Sequence, residues 1–176
     1  TSKLIDMRIT TIITALVLVT ILSCSKEDEW QTVSMTGSYT NTPDVSGGFH
    51  SISLPVGGTI QVPKKYKVGG SDNIVGNIDE TKSTLEVKTV SINSLTGAFD
   101  LTFTIAIFDK NGDKVDYKGT GQSYTNGTGL SWQHFTEGTG KYDGISGWLN
   151  TSLVTNPTTG VHTITVLEGQ ATYIKQ

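Results

Sequence analysis

The residues able to do acid–base, nucleophilic or metal chemistry are few and widely spaced in this chain. Its three histidines are His50, His134 and His162, and no two of them lie at a spacing typical of zinc ligands. The single cysteine is Cys24, and no Gly-x-Ser-x-Gly sequence indicates a serine nucleophile. The sequence therefore predicts no catalytic residues, no metal site and no cofactor.

A set of aromatic and polar residues is instead the best candidate for ligand binding. These residues fall on three successive predicted strands and comprise Tyr117, Tyr124, Trp132, His134 and Trp148. Tyrosine and tryptophan give the wall of a binding site an apolar body with one polar group. His134, two residues from Trp132, could act as an acid or a base. The alternative for each of the five residues is packing in the core.

One acidic loop has part of the pattern of a calcium site. Asp109, Asn111 and Asp113 occupy the first, third and fifth positions of an EF-hand loop. Lys114 stands where that loop needs glycine, and no glutamate follows at the twelfth position. Asn111-Gly112 between alternating segments is typical of a β-hairpin turn. The sequence therefore favours a hairpin over calcium binding.

Alternating segments predict the sheet that must position these residues. Between Phe99 and Ile107, apolar and polar residues alternate strictly, which predicts a strand with its odd-numbered residues in the core. Residues 63–73 carry lysines and glycines and are predicted to be a polar loop. Short strands at regular spacing, without a helical period, indicate a sandwich or a barrel. The other predicted strands cover residues 33–41, 49–54, 59–62, 84–92, 115–124, 130–136, 145–154, 161–167 and 171–174.

A glycine-rich segment, residues 138–147, indicates how this sheet could close. Gly138 and Gly140 predict a tight bend, and glycines that kink strands are how a sheet closes into a barrel. Tyr142 and Ile145 would then fill the core from either side of the bend. An ordinary glycine-rich hairpin loop is the alternative interpretation.

The same segment reads Gly-Thr-Gly-Lys-Tyr-Asp-Gly-Ile-Ser-Gly. It resembles the Gly-Thr-Gly-x-Phe-x-Gly-Ala-x-Gly signature of the allene oxide cyclase-like barrels, a superfamily similar in fold to the plant dirigent proteins. The resemblance implies a single all-β domain over residues 33–176, an antiparallel eight-stranded, calycin-like barrel with a central apolar cavity. It also implies that a cyclase or isomerase activity could use that cavity.

The amino-terminal residues predict a lipoprotein. In residues 1–23, Lys3 and Arg8 precede an apolar run that is too short to span a bilayer, as in a signal peptide. The run ends in Ile-Leu-Ser-Cys, which resembles a bacterial lipobox and implies acylation of Cys24 and stable anchoring in the membrane. Residues 24–32 form an acidic tether, and its Lys-Glu-Asp resembles the surface-export signal of Bacteroidota-type lipoproteins. That resemblance implies the outer membrane, facing outward.

The charge and the arginine content of the chain argue against several classes of ligand. A formal net charge of -3 argues against a nucleic-acid partner. Arg8 is the only arginine, which argues against nucleotide and phosphosugar ligands. Because no catalytic cluster is visible, the sequence favours a barrel that binds a small apolar or carbohydrate-like ligand. The alternatives are a cyclase or isomerase that uses the cavity, and a structural envelope or protein-interaction module with a filled barrel.

Overall fold

The computed structural model describes residues 29–55 and 57–174. The predicted signal peptide and Cys24 lie outside the described residues. The two short turns of 3-10 helix are Val45–Gly47 and Gly140–Tyr142. The described residues form twelve β-strands: β1 (Trp30–Ser34), β2 (Gly37–Pro43), β3 (Phe49–Ser53), β4 (Thr59–Pro63), β5 (Lys65–Asp72), β6 (Gly76–Asn77), β7 (Thr84–Ile92), β8 (Phe99–Phe108), β9 (Lys114–Ser123), β10 (Thr128–Gly138), β11 (Ser146–Thr155) and β12 (His162–Ile174).

Eight of the strands form a closed antiparallel barrel in the order β2-β5-β7-β8-β9-β10-β11-β12. The barrel closes where β12 pairs with β2, for example at Ile164 and Tyr39. The predicted all-β, eight-stranded antiparallel barrel is therefore confirmed. The strand predicted over residues 33–41 is in fact two strands, because Met35 and Thr36 interrupt the strand conformation. Both halves pair with β12, one after the other.

Alternation along β8 and β9 builds the core as the sequence predicts. Phe103, Ile105 and Ile107 are buried inside the barrel, whereas the even-numbered residues of β8 face outward. Opposite Phe103 in the ladder lies Gly119, where a Cβ atom would be only 2.8 Å from the Phe103 ring. A small residue at position 119 therefore makes room for the phenylalanine.

The prediction of a polar loop over residues 63–73 is wrong, because most of that segment is strand β5. Lys65 and Lys67 face solvent, and the residues that alternate with them, Tyr66 and Val68, are buried. The strand is thus amphipathic with period two, and its lysines lie on the solvent-exposed face. The two strands predicted near the carboxyl terminus are also one strand, β12, which bulges at Leu167 opposite β11.

The glycine-rich segment forms a tight bend at one end of the barrel, and the predicted bend with two core residues is confirmed. Gly140, Gly144 and Gly147 have φ angles of 57°, 73° and 134°, which favour glycine. The bend they allow directs Tyr142 and Ile145 into the core, where they are 1% and 6% exposed. The far end of the barrel, where β10 begins at Thr128, carries no such plug and leads to the site described below.

A buried carboxylate at this end of the barrel is paired with a partly exposed lysine. Asp109 is 2% exposed, and its Oδ2 atom lies 2.8 Å from Nζ of Lys141. The Tyr142 hydroxyl donates to the same oxygen at 3.3 Å. Burial pushes the pKa of Asp109 up, but the hydrogen bonds from Lys141 and from two backbone N–H groups outweigh it and hold the pKa below its ordinary value.

No helix among the described residues is long and apolar enough to cross a membrane.

Candidate ligand-binding site

The half of the barrel opposite the glycine bend contains a cavity of about 670 Å³. Its mouth lies between strand β4, the loop that joins β9 to β10, and the loop that joins β11 to β12. A volume of this size is in the range that holds one small organic molecule. The barrel interior is therefore not filled by side chains at this end.

The walls of the cavity are mostly apolar and come from nearly every strand of the barrel. The Phe103 ring packs over Gly119 and Gly121, and this leaves the space above it open toward the mouth. Inward-facing apolar residues of the wall include Leu85, Val87, Leu101, Ile105, Leu149, Leu153 and Ile164. Among the described residues that line the cavity, none is aspartate, glutamate, lysine or arginine. The cavity is thus apolar and carries no full charge.

One wall carries a short chain of hydrogen-bonded polar groups. Nε2 of Gln133 donates to Oγ of Ser131 at 2.9 Å. The Ser131 hydroxyl in turn shares a hydrogen bond of 2.7 Å with the Thr151 hydroxyl. Gln133 and Thr151 are 6% and 1% exposed, so these groups are held in place by burial as well as by hydrogen bonds. They offer a fixed polar point on an otherwise apolar wall.

A second polar group lies across the barrel. The His162 ring, on β12, is 5.0 Å from the Tyr66 ring on β5, and Asn41 of β2 lines the same wall. Burial lowers the pKa of His162, so its imidazole is neutral at pH 7 and has one donor and one acceptor nitrogen. Burial also raises the pKa of Tyr66 to about 12. Both rings therefore keep the wall uncharged.

The floor of the cavity is closed by two buried tyrosines. The Tyr39 hydroxyl donates to Oδ2 of Asp72 at 2.9 Å, and the other carboxylate oxygen accepts from the backbone N–H groups of Ile74 and Val75. Burial raises the pKa of Asp72, and these hydrogen bonds oppose the rise. The neighbouring Tyr117 is 2% exposed, and its hydroxyl finds no hydrogen-bond partner among the described residues.

The hydroxyl groups of the two tyrosines differ in hydrogen bonding, and removing them is therefore predicted to change the stability of the protein in opposite directions. Tyr117→Phe is expected to raise the free energy of unfolding by about 1 kcal/mol, because it removes a buried hydroxyl that has no partner. The matched variant Tyr39→Phe is expected to lower it by about 1–3 kcal/mol, because the carboxylate of Asp72 loses a donor. Urea unfolding followed by tryptophan fluorescence measures both. Equal destabilisation by the two variants would contradict the assignment.

The β3–β4 hairpin stands outside the barrel sheet and forms one side of the mouth. It covers the part of β7 that β5 does not reach, since β5 pairs with β7 only at residues 84–86. Nε2 of His50 lies 2.9 Å from the carbonyl oxygen of Val87. Ile60 and Val62 line the cavity from this hairpin. The hairpin is therefore a wall of the site rather than a member of the barrel.

The structure does not bring the five sequence-predicted site residues together. Tyr117 and Tyr124 line the cavity. Trp132, His134 and Trp148 belong to the outward-facing residues of β10 and β11 and lie outside the barrel. The Trp132 and His134 rings are 5.2 Å apart, and Nδ1 of His134 is covered and has no partner among the described residues. These three residues therefore do not line the cavity, and a role for them in ligand binding stays a prediction.

Sequence reasoning missed His162, Gln133 and Asn41 as lining residues. The signal was present for His162, because it alternates with the apolar residues Ile164 and Val166 on one face of β12. On β10 the predicted site residues were Trp132 and His134, and alternation places Gln133 on the opposite face of the strand. The inward face of β10 is in fact the one with Ser131, Gln133 and Phe135.

The candidate calcium loop is a hairpin turn. Oδ1 of Asp109 accepts from the backbone N–H groups of Asn111 and Asp113 at 2.8 and 3.0 Å, which closes the turn between β8 and β9. Nowhere in residues 29–55 and 57–174 do three or more histidine, cysteine, aspartate or glutamate residues form a group that could hold a metal ion.

Two solved structures resemble the chain in shape. The pterocarpan synthase dirigent protein PsPTS1 is 15% identical, with a TM-score of 0.44, over 86% of this chain and 100% of that one. The pterocarpan synthase dirigent protein GePTS1 is 13% identical, with a TM-score of 0.44, over 87% of this chain and 97% of that one. No protein-family model and no curated protein matches the chain. The pairing of its own strands shows that the chain is an eight-stranded antiparallel barrel with a cavity open at one end.

Proposed function

We propose that the barrel binds one small, neutral and mostly apolar molecule in its interior. The observation that carries the proposal is the cavity of about 670 Å³, which has apolar walls and no aspartate, glutamate, lysine or arginine among the described residues that line it. Removing apolar ligand surface from water favours binding by about 25 cal/mol per Å². A charged ligand would lose its hydration without gaining a partner of opposite charge. The apolar walls thus favour an apolar over a carbohydrate-like ligand here.

The polar groups of the walls would orient the ligand rather than hold most of its surface. Gln133 and the neutral His162 lie on different walls, and each can donate or accept a hydrogen bond. A ligand with an oxygen atom at one or two positions could satisfy both residues. A hydrocarbon ligand would leave the polar groups of both residues without a hydrogen-bond partner, which would lower its affinity.

Filling the cavity tests the proposal. The fluorescence of N-phenyl-1-naphthylamine, a neutral apolar probe, reports its binding in a titration. We expect Leu153→Trp to weaken binding by at least about tenfold, because the added ring of this inward-facing residue occupies the cavity. Val154→Trp is the matched control, because Val154 is the next residue of β11 and is 58% exposed outside the barrel. Equal affinities for the two variants, or no binding to the wild type, would contradict the proposal.

A cyclase or isomerase activity is the alternative use of the same cavity. It is supported by His162, an imidazole in the wall that is neutral at pH 7 and has one nitrogen that can accept a proton. Recovery of a bound compound in an isomerised form would favour this alternative, whereas recovery of the unchanged compound favours binding alone. The third candidate, a structural module with a filled barrel, is not supported by the open cavity.

We also propose that the barrel is attached to the outer membrane, facing outward, through lipid on Cys24. The support is the lipobox-like sequence before this cysteine and the acidic tether after it. In bacteria grown with an alkyne-labelled palmitate, the wild-type chain is expected to carry the label and to sediment with membranes. Cys24→Ala is expected to lose both properties, while Ser23→Ala, which keeps the cysteine, retains them. A labelled Cys24→Ala chain would contradict the anchor.

A further inference from the structure

A second concavity of about 640 Å³ lies on the outside of the barrel. It crosses the outer faces of strands β7 to β12, on the opposite side of the sheet from the cavity. The outer groove spans several strands, and neighbouring strands lie about 4.8 Å apart. Two strand spacings alone already correspond to a length of about 10 Å. The outer groove is therefore long enough for a ligand larger than a single six-membered ring.

An exposed tryptophan is the most prominent feature of the outer groove. Trp132 is 47% exposed, and its ring is supported from one side by the His134 ring at 5.2 Å. Leu130 and Leu167, which are 52% and 58% exposed, extend the apolar surface beside it. An aromatic ring of this size, held in place but uncovered, offers a flat face on which another ring can stack.

Polar side chains flank the tryptophan, and they are already held in position. Nδ2 of Asn150, directly opposite Trp132 in the ladder, donates to Oε1 of Glu168 at 2.6 Å. On the other side, Nε2 of Gln122 donates to Oδ1 of Asp100 at 2.8 Å. In the Asn150–Glu168 pair one carboxylate oxygen is used, which leaves the second carboxylate oxygen and the amide oxygen as acceptors. In the Gln122–Asp100 pair, Oδ2 of Asp100 already accepts from Nδ2 of Asn93 at 3.4 Å, and Oε1 of Gln122 accepts from the Tyr124 hydroxyl at 3.2 Å. Each of these two oxygens keeps a second lone pair for a ligand.

The charges of the outer groove restrict the class of ligand. The described residues that line it include the carboxylates Asp100 and Glu168 and several threonines, but no lysine or arginine. An anionic ligand would find no cation there. Ligand hydroxyl groups, in contrast, can donate to the carboxylate and amide oxygens, and hydrogen bonds to charged acceptors are the stronger kind.

We propose that the outer groove binds a neutral oligosaccharide, with one sugar ring stacked on Trp132. The ring's C–H face lies against the indole, and its hydroxyl groups are bound by the Asn150–Glu168 and Gln122–Asp100 pairs. The main side chains of this site, Trp132 and the two pairs, lie on outward-facing positions of their strands, and of these only Gln122 also lines the barrel cavity. The protein then has two sites, one for an apolar molecule inside and one for a carbohydrate outside.

A panel of neutral oligosaccharides tests the proposal on the full chain solubilised in detergent. The panel contains the hexasaccharides of glucose (β-1,4 and α-1,4 linked), mannose and xylose, and binding is measured by isothermal titration calorimetry. We expect at least one of them to bind and Trp132→Ala to weaken that binding by at least about tenfold. Glu168→Gln is expected to weaken it less, because one acceptor oxygen and the bond to Asn150 can persist.

Two matched controls separate this site from its surroundings. Trp148→Ala removes the neighbouring outward-facing tryptophan, which does not line the outer groove, and is expected to leave sugar affinity unchanged. Leu153→Trp, which fills the barrel interior, is expected to leave it unchanged as well. If Leu153→Trp abolished sugar binding, the sugar would bind inside the barrel, and the outer site would be refuted.

Other occupants of the groove give different outcomes, and each would overturn the proposal. Tetramethylammonium binding that needs Trp132 and Glu168, without sugar binding, would identify a cation site. Self-association of the wild type that Trp132→Ala abolishes in sedimentation velocity, without sugar binding, would identify an interface between two copies. Failure of all four hexasaccharides to bind, or binding that is unaffected by Trp132→Ala, would equally refute the proposal.

Discussion

Gly147→Ala is expected to lower the free energy of unfolding by at least about 3 kcal/mol, or to prevent folding. The φ angle of Gly147 is 134°, a conformation that costs residues with a side chain about 1–3 kcal/mol. In addition, a Cβ atom at this position would overlap the carbonyl oxygen of Gln170 in the adjacent strand β12. Neither atom can move easily, because Ala171 next to that carbonyl is fully buried. Relief of the overlap would have to displace β12, at a further cost of about 1–3 kcal/mol.

Gly112→Ala is the matched control for this prediction. Gly112 also has a positive φ angle, 96°, but a Cβ atom there would meet no atom within 4 Å. The control therefore measures the backbone strain without the overlap and is expected to cost about 1–2 kcal/mol. Urea unfolding of the two variants gives the difference. Equal costs would show that the close approach of β11 to β12 is not what requires glycine at position 147.

Removal of the β3–β4 hairpin is expected to weaken probe binding in the barrel by about 10–100-fold while leaving the barrel folded. The backbone N–H of Lys64 donates to the carbonyl oxygen of Gly48 at 3.0 Å, so the two ends of the hairpin are adjacent. A link of two glycines can therefore replace residues 49–63. Ile60 and Val62 would no longer line the cavity, and burial of each such side chain is worth about 1.5–3 kcal/mol when complete.

The affinity for N-phenyl-1-naphthylamine and the far-ultraviolet circular dichroism spectrum test this prediction together. Ile60→Ser combined with Val62→Ser is expected to weaken binding to a smaller degree, since the backbone of the hairpin still shields the mouth. His50→Ala removes only the contact with the Val87 carbonyl oxygen and is expected to weaken probe binding least among these variants. If the variant without the hairpin kept the wild-type affinity and an unchanged spectrum, the hairpin would not be a wall of the site.

Local patterns predicted much of the fold correctly. The strict alternation from Phe99 to Ile107 predicted the core face of β8, because a strand has a side-chain period of exactly two. The glycine spacing in residues 138–147 predicted the bend and its plug, because positive φ angles and close backbone approach need glycine wherever they occur. In β5 the same kind of reasoning failed, because residue type was given more weight than period, and the outward lysines hid the inward Tyr66 and Val68.

The candidate site was harder to predict than the fold, for a physical reason that β10 illustrates. Alternation separates Trp132 and His134 from Ser131 and Gln133, but it does not say which set faces inward. Aromatic residues usually face the core, and that average favoured Trp132. The outcome depends on what the neighbouring strands place around each face, which is a property of the closed barrel and not of the strand.

The sequence by itself determined the class of fold, the core face of β8 and the glycine bend with its two core residues, because these depend on local period and on glycine. Only the tertiary structure decided that the other end stays open, that His162 and Gln133 line the same cavity, and that a tryptophan lies outside beside two polar pairs. Cavities and grooves are the space left between side chains from strands that are distant in sequence. Their shape follows from barrel closure and register, which no single segment encodes.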